Sequence, residues 1–125
     1  MSKILVVDDE AQICKLLKNF LELKDYDVIT ASSGKEALEK IKEKPDIVLL
    51  DVMMPDMNGL QVLRKVKEIA PSIEVVMVTG LADQDIAIES LKKGAFDYIT
   101  KPIDFNHLED VIGIKIIQMS PEENS

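Results

Sequence analysis

Short unbroken apolar runs alternate along the chain with segments whose apolar residues recur every three or four positions. Residues 4–7 (ILVV) and 47–50 (IVLL) are uniformly apolar, and each run ends in an acid. Runs of this kind predict strands buried on both faces, as in a parallel sheet. Residues 26–31, 73–78 and 96–99 predict three further strands. Helical patterns lie between them. Over 10–24, Ile13, Leu16, Leu17, Phe20, Leu21 and Leu23 fall mostly at helical spacing and predict an amphipathic helix. Ser33-Gly34-Lys35-Glu36 has the form of a capping box and opens a second helix. Ala37, Leu38 and Ile41 face inward there, and Pro45 stops it. Asn58 caps a third helix, in which Leu60, Leu63, Val66 and Ile69 share a face, closed by Pro71. Asp83 caps a fourth, with Ile86, Ala87 and Leu91 inward and Gly94 as its C-terminal stop. Asp104 caps the last, with Leu108, Val111, Ile112 and Ile116 inward. Ile114 and Ile117 fall off that face, as a ragged helix end or as cover for a partner.

Strand and helix alternate five times, which predicts an α/β fold: a doubly wound, five-stranded parallel sheet with helices on both faces. Residues 1–119 make one domain. Residues 120–125 (SPEENS) are a polar tail expected to be disordered. In such a sheet all strands end on one edge, where ligands bind. Four strands end there in reactive side chains: Asp8 and Asp9, Asp51, Thr79, and Lys101. Alone, Asp51 would be an ordinary turn acid, and Asp8 and Asp9 ordinary helix caps. Gathered together, three carboxylates repel one another, and a divalent cation relieves the repulsion. Oxygen ligands suit Mg²⁺, which takes one or two carboxylates directly and keeps several waters. Lys101 supplies the opposite charge, on a path restricted by Pro102. Thr79 supplies a hydroxyl donor. Metal, cation and hydroxyl around one carboxylate equip a site for phosphoryl transfer, where positioning and neutralisation of the equatorial oxygens dominate catalysis. The carboxylate left to act as nucleophile is Asp51, giving an aspartyl-phosphate.

Composition narrows the partners. The 125 residues suit one domain with a real core, and 46% hydrophobic with 30% charged content makes the chain globular. A net charge of −8 argues against direct binding to nucleic acid, which needs a basic footprint, and against an anionic membrane surface. Cys14, the single cysteine, permits no internal disulfide, fits a reducing cytoplasm and is expected to be a small apolar filler. The opening residues do not form a signal peptide, and no stretch approaches the ~18 apolar residues of a membrane span. His107 is the only histidine and is expected to be solvated. That excludes a histidine-rich metal site. Met53, Met54 and Met57 are expected to pack rather than to bind a soft metal.

The chain resembles the receiver domain of two-component response regulators. The pieces that carry the resemblance are LVVDDE, LLDVMMPDMNG, VTG and GAFDYITKP, in that order and at that spacing, from Lys3 to about Gln118. The resemblance implies a flavodoxin-like sheet of order 2-1-3-4-5 with five helices. It implies Asp51 as phosphoacceptor, taking its phosphoryl group from a sensor histidine kinase or phosphotransfer protein. It implies Asp9 as a direct Mg²⁺ ligand, Asp8 acting nearby through water, and the Met53 backbone carbonyl as a further ligand. Thr79 would bind the phosphoryl group and move toward it, Lys101 would pair with it, and Tyr98 would change rotamer as Thr79 moves. The face of helix four, strand five and helix five would then bind a downstream partner or a second copy. Residues two positions after Asp51 and Thr79, here Met53 and Leu81, would flank the water that hydrolyses the phosphoryl group. Neither hydrogen-bonds water well, so a long-lived phosphoryl group is expected. The stretch from Thr79 to Pro102 looks closer to receivers attached to ATPase-type transcription activators.

Three other readings compete. A phosphatase with an aspartyl nucleophile needs an acid two residues later, and Met53 stands there. A flavin carrier needs a Ser, Thr and Gly loop after strand one, and Asp8-Asp9-Glu10 stands there. A degenerate receiver that binds a partner without phosphorylation is opposed by the intact set of acids. The expected protein is therefore a signalling switch in the cytoplasm rather than an enzyme acting on a separate substrate.

Overall fold

The uniformly apolar runs become β-strands in the middle of the sheet, where both faces are covered. The computed structural model describes residues 2–80 and 84–119. The elements are β1 (Lys3–Val7), α1 (Ala11–Leu23), β2 (Asp27–Ala31), α2 (Gly34–Lys40), a 3-10 turn (Ile41–Glu43), β3 (Ile47–Asp51), α3 (Gly59–Ile69), β4 (Glu74–Thr79), α4 (Gln84–Lys92), β5 (Asp97–Thr100) and α5 (Phe105–Met119). The five strands lie parallel in the order β2-β1-β3-β4-β5. This is the doubly wound sheet, strand order and helix count expected above.

Side chains alternate across the sheet and build two cores. On one face, Leu5, Val7, Val48, Leu50, Val75 and Met77 meet Ala37 of α2 and Val62, Leu63 and Val66 of α3, with Ile86 of α4 packed against them. On the other, Ile4, Val6, Ile47, Leu49, Val76 and Ile99 meet Cys14, Leu17 and Leu21 of α1 and Leu108, Val111 and Ile112 of α5. Each fully buried side chain of this size contributes about 1.5–3 kcal/mol. The two cores grip the sheet from both sides, so the loops at its C-terminal edge start from rigid strand ends.

Local signals work where the backbone needs them. Asn58 and Gln61 form a complete capping box: Asn58 Oδ1 accepts from Gln61 N–H at 2.9 Å and Gln61 Oε1 from Asn58 N–H at 3.1 Å. Asp104 Oδ1 accepts from the amides of Asn106 and His107 at the start of α5. Gly94 ends α4 at φ +108°, which a residue with a Cβ rarely adopts.

Several expectations need correction. Leu16 and Leu23 are exposed, because the buried stripe of α1 is Cys14, Leu17 and Leu21. Leu16 is rotated about 100° from Leu17, and Leu23 is the last residue of the helix. Ile69, the last residue of α3, is also exposed, and Val62 takes its place in the buried set. On α4 Ile86 and Ala87 face the core as expected, joined by Ser90, whereas Leu91 is turned outward. The Ser90 hydroxyl is satisfied by donating to Ala87 O at 2.6 Å. Ser33 Oγ caps Glu36 N–H, but the Glu36 carboxylate accepts from Ser32 rather than Ser33, so the capping box is half formed. Helix α2 tightens into the 3-10 turn that buries Ile41, and ends on Lys44 at φ +58°, one residue before Pro45. The second, fourth and fifth strands begin one residue later than expected, and the last two extend to Thr79 and Thr100. Ile114 and Ile117 are exposed, as their register predicts, while Ile116 is only half-buried. The predicted cap Asp83, the flanking residue Leu81 and the tail 120–125 lie outside the described residues.

Candidate functional site

Parallel register brings the strand ends level. Val7 pairs with Leu50, Asp51 with Val78, and Thr79 with Thr100. Asp8 N–H donates to Ala31 O at 3.1 Å and Lys101 N–H to Thr79 O at 2.7 Å, so the ladders continue one residue into the loops. Residues 8, 51, 79 and 101 thereby reach one edge of the sheet from four different strands.

Asp8, Asp9 and Asp51 offer carboxylate oxygens that all lie within 4.8 Å of one another. Asp8 and Asp51 are buried, and Asp9 is exposed at the mouth. Asp8 serves both roles open to it. Its Oδ1 accepts from Glu10 N–H at 2.9 Å and turns the chain into α1, while its Oδ2 accepts from Lys101 Nζ at 3.2 Å. Asp51 is divided in the same way: Oδ1 takes Met53 N–H at 3.2 Å and Oδ2 takes Lys101 Nζ at 3.4 Å. Glu10 adds a fourth acid, 3.9 Å from the same ammonium.

One ammonium does not balance this many carboxylates. Burial raises the Asp51 carboxyl above its ordinary value and the charge on Asp8 raises it further, against the pull of Lys101 and the Met53 amide. Burial acts to lower the Lys101 ammonium, but Asp51 and Asp8 outweigh it and hold that group above its usual value, fully charged. The pocket therefore has excess negative charge inside a partly desolvated site.

Thr79 is 1% exposed, and its Oγ1 has no hydrogen-bond partner among the described residues. A buried hydroxyl without a partner costs free energy that a ligand oxygen would recover. Tyr98 pairs in register with Met77, two residues before Thr79, so Tyr98 and Thr79 share the sheet face that carries α4. Tyr98 is half-buried there. Met53 is 65% exposed, and it reaches Asp51 through its backbone N–H. Met54 and Met57 pack on the core as expected, whereas Met53 does not. His107 is exposed.

The donor set suits a hard divalent cation. Every offered ligand is an oxygen, two of the three carboxylates are buried, and the local charge is negative. The residues present therefore fit Mg²⁺, with Asp8 and Asp51 buried and Asp9 exposed at the mouth.

Two contributors were not legible as such in the chain. Cys14 is buried as expected, but its thiol also donates to Asp8 O at 3.2 Å and so braces the acidic loop from α1. Asp56 reads as one more turn residue after Pro55, yet it reaches across to α2. Neither contact has a signal in sequence spacing, because each joins separate elements.

Comparison with known proteins agrees with this geometry. The family model for the response regulator receiver domain matches residues 4–113. The chain is 44% identical over 107 residues to the transcriptional regulatory protein ZraR of Klebsiella oxytoca, covering 85% of this chain and 24% of that protein. It thus spans about a quarter of the length of that relative. It is 39% identical over 102 residues to the chemotaxis protein CheY of Thermotoga maritima, covering 80% of this chain and 85% of that one. A response regulator receiver domain from Clostridium thermocellum superposes with a TM-score of 0.90 at 39% identity, covering 94% of this chain and 96% of that one. With the family model matching most of the chain and the sheet superposing on a solved member, the chain belongs to the response regulator receiver domain family of two-component signalling.

Proposed function

We propose that this domain is a phosphorylation-controlled switch that accepts a phosphoryl group on Asp51 from a phosphohistidine of a sensor kinase or phosphotransfer protein. The observation that carries the reading is Asp51 itself: a buried carboxylate at the end of the central strand, beside Asp8, with the Met53 amide on Oδ1 and the Lys101 ammonium on Oδ2. An Asp51 oxygen bonds to phosphorus as the donor's P–N bond breaks. The electron pair leaves on the imidazole nitrogen, which takes up a proton. Lys101 neutralises an oxygen of the group in transfer, and the Thr79 hydroxyl gains the acceptor it lacks. Mg²⁺, held by Asp9, Asp51 and the Met53 carbonyl with Asp8 beside them, would supply charge neutralisation for the remaining oxygens. The protein catalyses no reaction on a separate substrate in this reading. A phosphatase lacks its acid at Met53.

Movement of Thr79 toward the phosphoryl group would vacate space on the Tyr98 side of the sheet and alter the face of α4, β5 and α5. Ile88 and Leu91 of α4 and Ile114 and Ile117 of α5 are exposed large apolar residues on those helices, and they suit a partner or a second copy. Two states a few kcal/mol apart would leave a minor active population without phosphate. The domain would act in the cytoplasm, and no helix among the described residues is long and apolar enough to cross a membrane. Its output would be control of an attached effector or a separate protein, in line with the transcriptional regulators of which it matches a quarter.

Incubation with acetyl phosphate and Mg²⁺ tests the assignment by intact mass. One added phosphoryl group is expected on the wild type and none on Asp51→Asn. Equal labelling of both would remove Asp51 from the role, and no labelling of either would favour a receiver that works without phosphate. Sedimentation with and without beryllofluoride tests self-association, and amide exchange across α4 and β5 tests the switch face.

A further inference from the structure

The segment joining β3 to α3 is short and tied at both ends. At its base Gly59 N–H donates to Val52 O at 2.8 Å. A Cβ at Gly59 would come within 2.6 Å of Asp51 O and 2.8 Å of Val52 Cα, so α3 starts directly against the end of β3. At its tip the segment reaches a different helix. Asp56 Oδ1 accepts from Gly34 N–H and Oδ2 from Lys35 N–H, both at 3.0 Å. These amides open α2 and have no partner inside the helix. Ser33 Oγ takes the next one, that of Glu36, at 3.1 Å. The Lys35 amide first and the Gly34 amide second hold the Asp56 carboxyl below its ordinary value. Gly34 permits the approach, since a Cβ there would meet Met57 Cβ and Val62 Cγ2 at 2.9 Å. Met53 lies between base and tip, its amide already committed to Asp51.

The geometry points to Asp56 as a positioning residue: by docking the 53–57 loop on the first turn of α2, it sets the Met53 backbone at the acidic pocket and couples α2 to occupancy of that pocket. The inference rests on the reading that Mg²⁺ binds there. Asp56 is exposed and touches no reacting atom. Its effect is on the fraction of time the loop is docked. Affinity for the cation falls by that fraction when docking is lost. The coupling is reciprocal, so Mg²⁺ tightens the grip of Asp56 on α2.

The test is calorimetric titration with Mg²⁺ of wild type, Asp56→Ala, Asp56→Asn and Ser33→Ala, with amide exchange at Gly34 and Lys35. Ser33→Ala removes a cap from the same helix turn without touching the loop, and separates helix stability from loop position. Asp56→Ala should weaken Mg²⁺ binding about fivefold or more, and Asp56→Asn, which keeps one acceptor, should fall between. Ser33→Ala should bind Mg²⁺ as the wild type does. Saturating Mg²⁺ should restore wild-type labelling by acetyl phosphate to Asp56→Ala. In the wild type, Mg²⁺ should slow exchange at Gly34 and Lys35. If the wild type binds Mg²⁺ and Asp56→Ala binds it equally well, the inference is overturned while the metal site stands. Equal weakening in Ser33→Ala would assign the effect to helix stability and overturn it too. A wild type that does not bind Mg²⁺ removes the metal reading itself.

Discussion

Lys101 places its ammonium 3.4 Å from Asp51 Oδ2, across 50 residues of sequence. The contact joins the loop after β5 to the end of β3, although β4 lies between those strands in the sheet. It holds the Asp51 carboxylate oriented and partly neutralised. It also leaves Asp8 and Asp51 sharing one cation, and several consequences of that shortage are measurable.

Asp51→Asn should stabilise the metal-free domain at neutral pH. Burial, then the charge on Asp8, raises the Asp51 carboxyl. A carboxyl raised by folding costs the fold nothing below its unfolded value, near ~3.9, and costs it in full above the folded one. The variant removes a buried like-charge contact of about 1 kcal/mol. Its urea midpoint should exceed the wild type's at pH 7, and the gain should vanish in acid below that unfolded value. A variant less stable than wild type at pH 7 without metal would contradict the charge imbalance.

Mg²⁺ should stabilise the wild type. With affinity of about millimolar, a tenfold excess over the dissociation constant contributes roughly 1.4 kcal/mol. Asp9→Ala should lose most of that response, because Asp9 is the exposed acid at the mouth of the cluster. Thermal melts with and without Mg²⁺ check it, and an equal response in both proteins would place the metal elsewhere.

Phosphorylated protein should decay slowly. Met53, two residues after the proposed phosphoacceptor Asp51, presents an exposed thioether that cannot orient a water for attack. Met53→Asn should accelerate loss of the phosphoryl group severalfold, read by intact mass over time. An unchanged decay rate would exclude this position as the control.

Glu74→Gln should destabilise the fold by about 1–2 kcal/mol at pH 7. Glu74 opens β4 and receives Lys115 of α5 at 2.7 Å and Lys67 of α3 at 3.1 Å, clamping helices from both faces onto the sheet. Burial raises its carboxyl, but the hydrogen bonds from Lys115 and Lys67 outweigh this and leave it lowered. Stability from a lowered carboxyl is present above the unfolded value, near ~4.3, and lost as pH falls through the folded one. The gap between wild type and variant should therefore be large at pH 7 and close in strong acid. Urea midpoints at the two pH values measure it.

The architecture follows from local pattern alone. Uniformly apolar ILVV and IVLL have no stable place except a parallel strand covered on both faces, and Asn58, Gly94 and Asp104 mark helix ends through local chemistry that needs no distant partner. The rule that such strands end on one edge also gathered Asp8, Asp9, Asp51, Thr79 and Lys101. Tertiary structure decided the rest. Helical spacing fills a stripe wider than the sheet can cover, so it could not exclude Leu16, Leu23 and Leu91 from the core; that choice depends on where each helix lies on the sheet. Spacing likewise carried nothing about which oxygen of Asp8 turns the chain and which meets Lys101, or that the Cys14 thiol braces Asp8. Asp56 shows the limit most plainly. Its partners, the amides of Gly34 and Lys35, lie more than 20 residues away. A backbone amide is the same at every non-proline position, so no residue code names it as a partner; only the packing of the β3–α3 loop against α2 does.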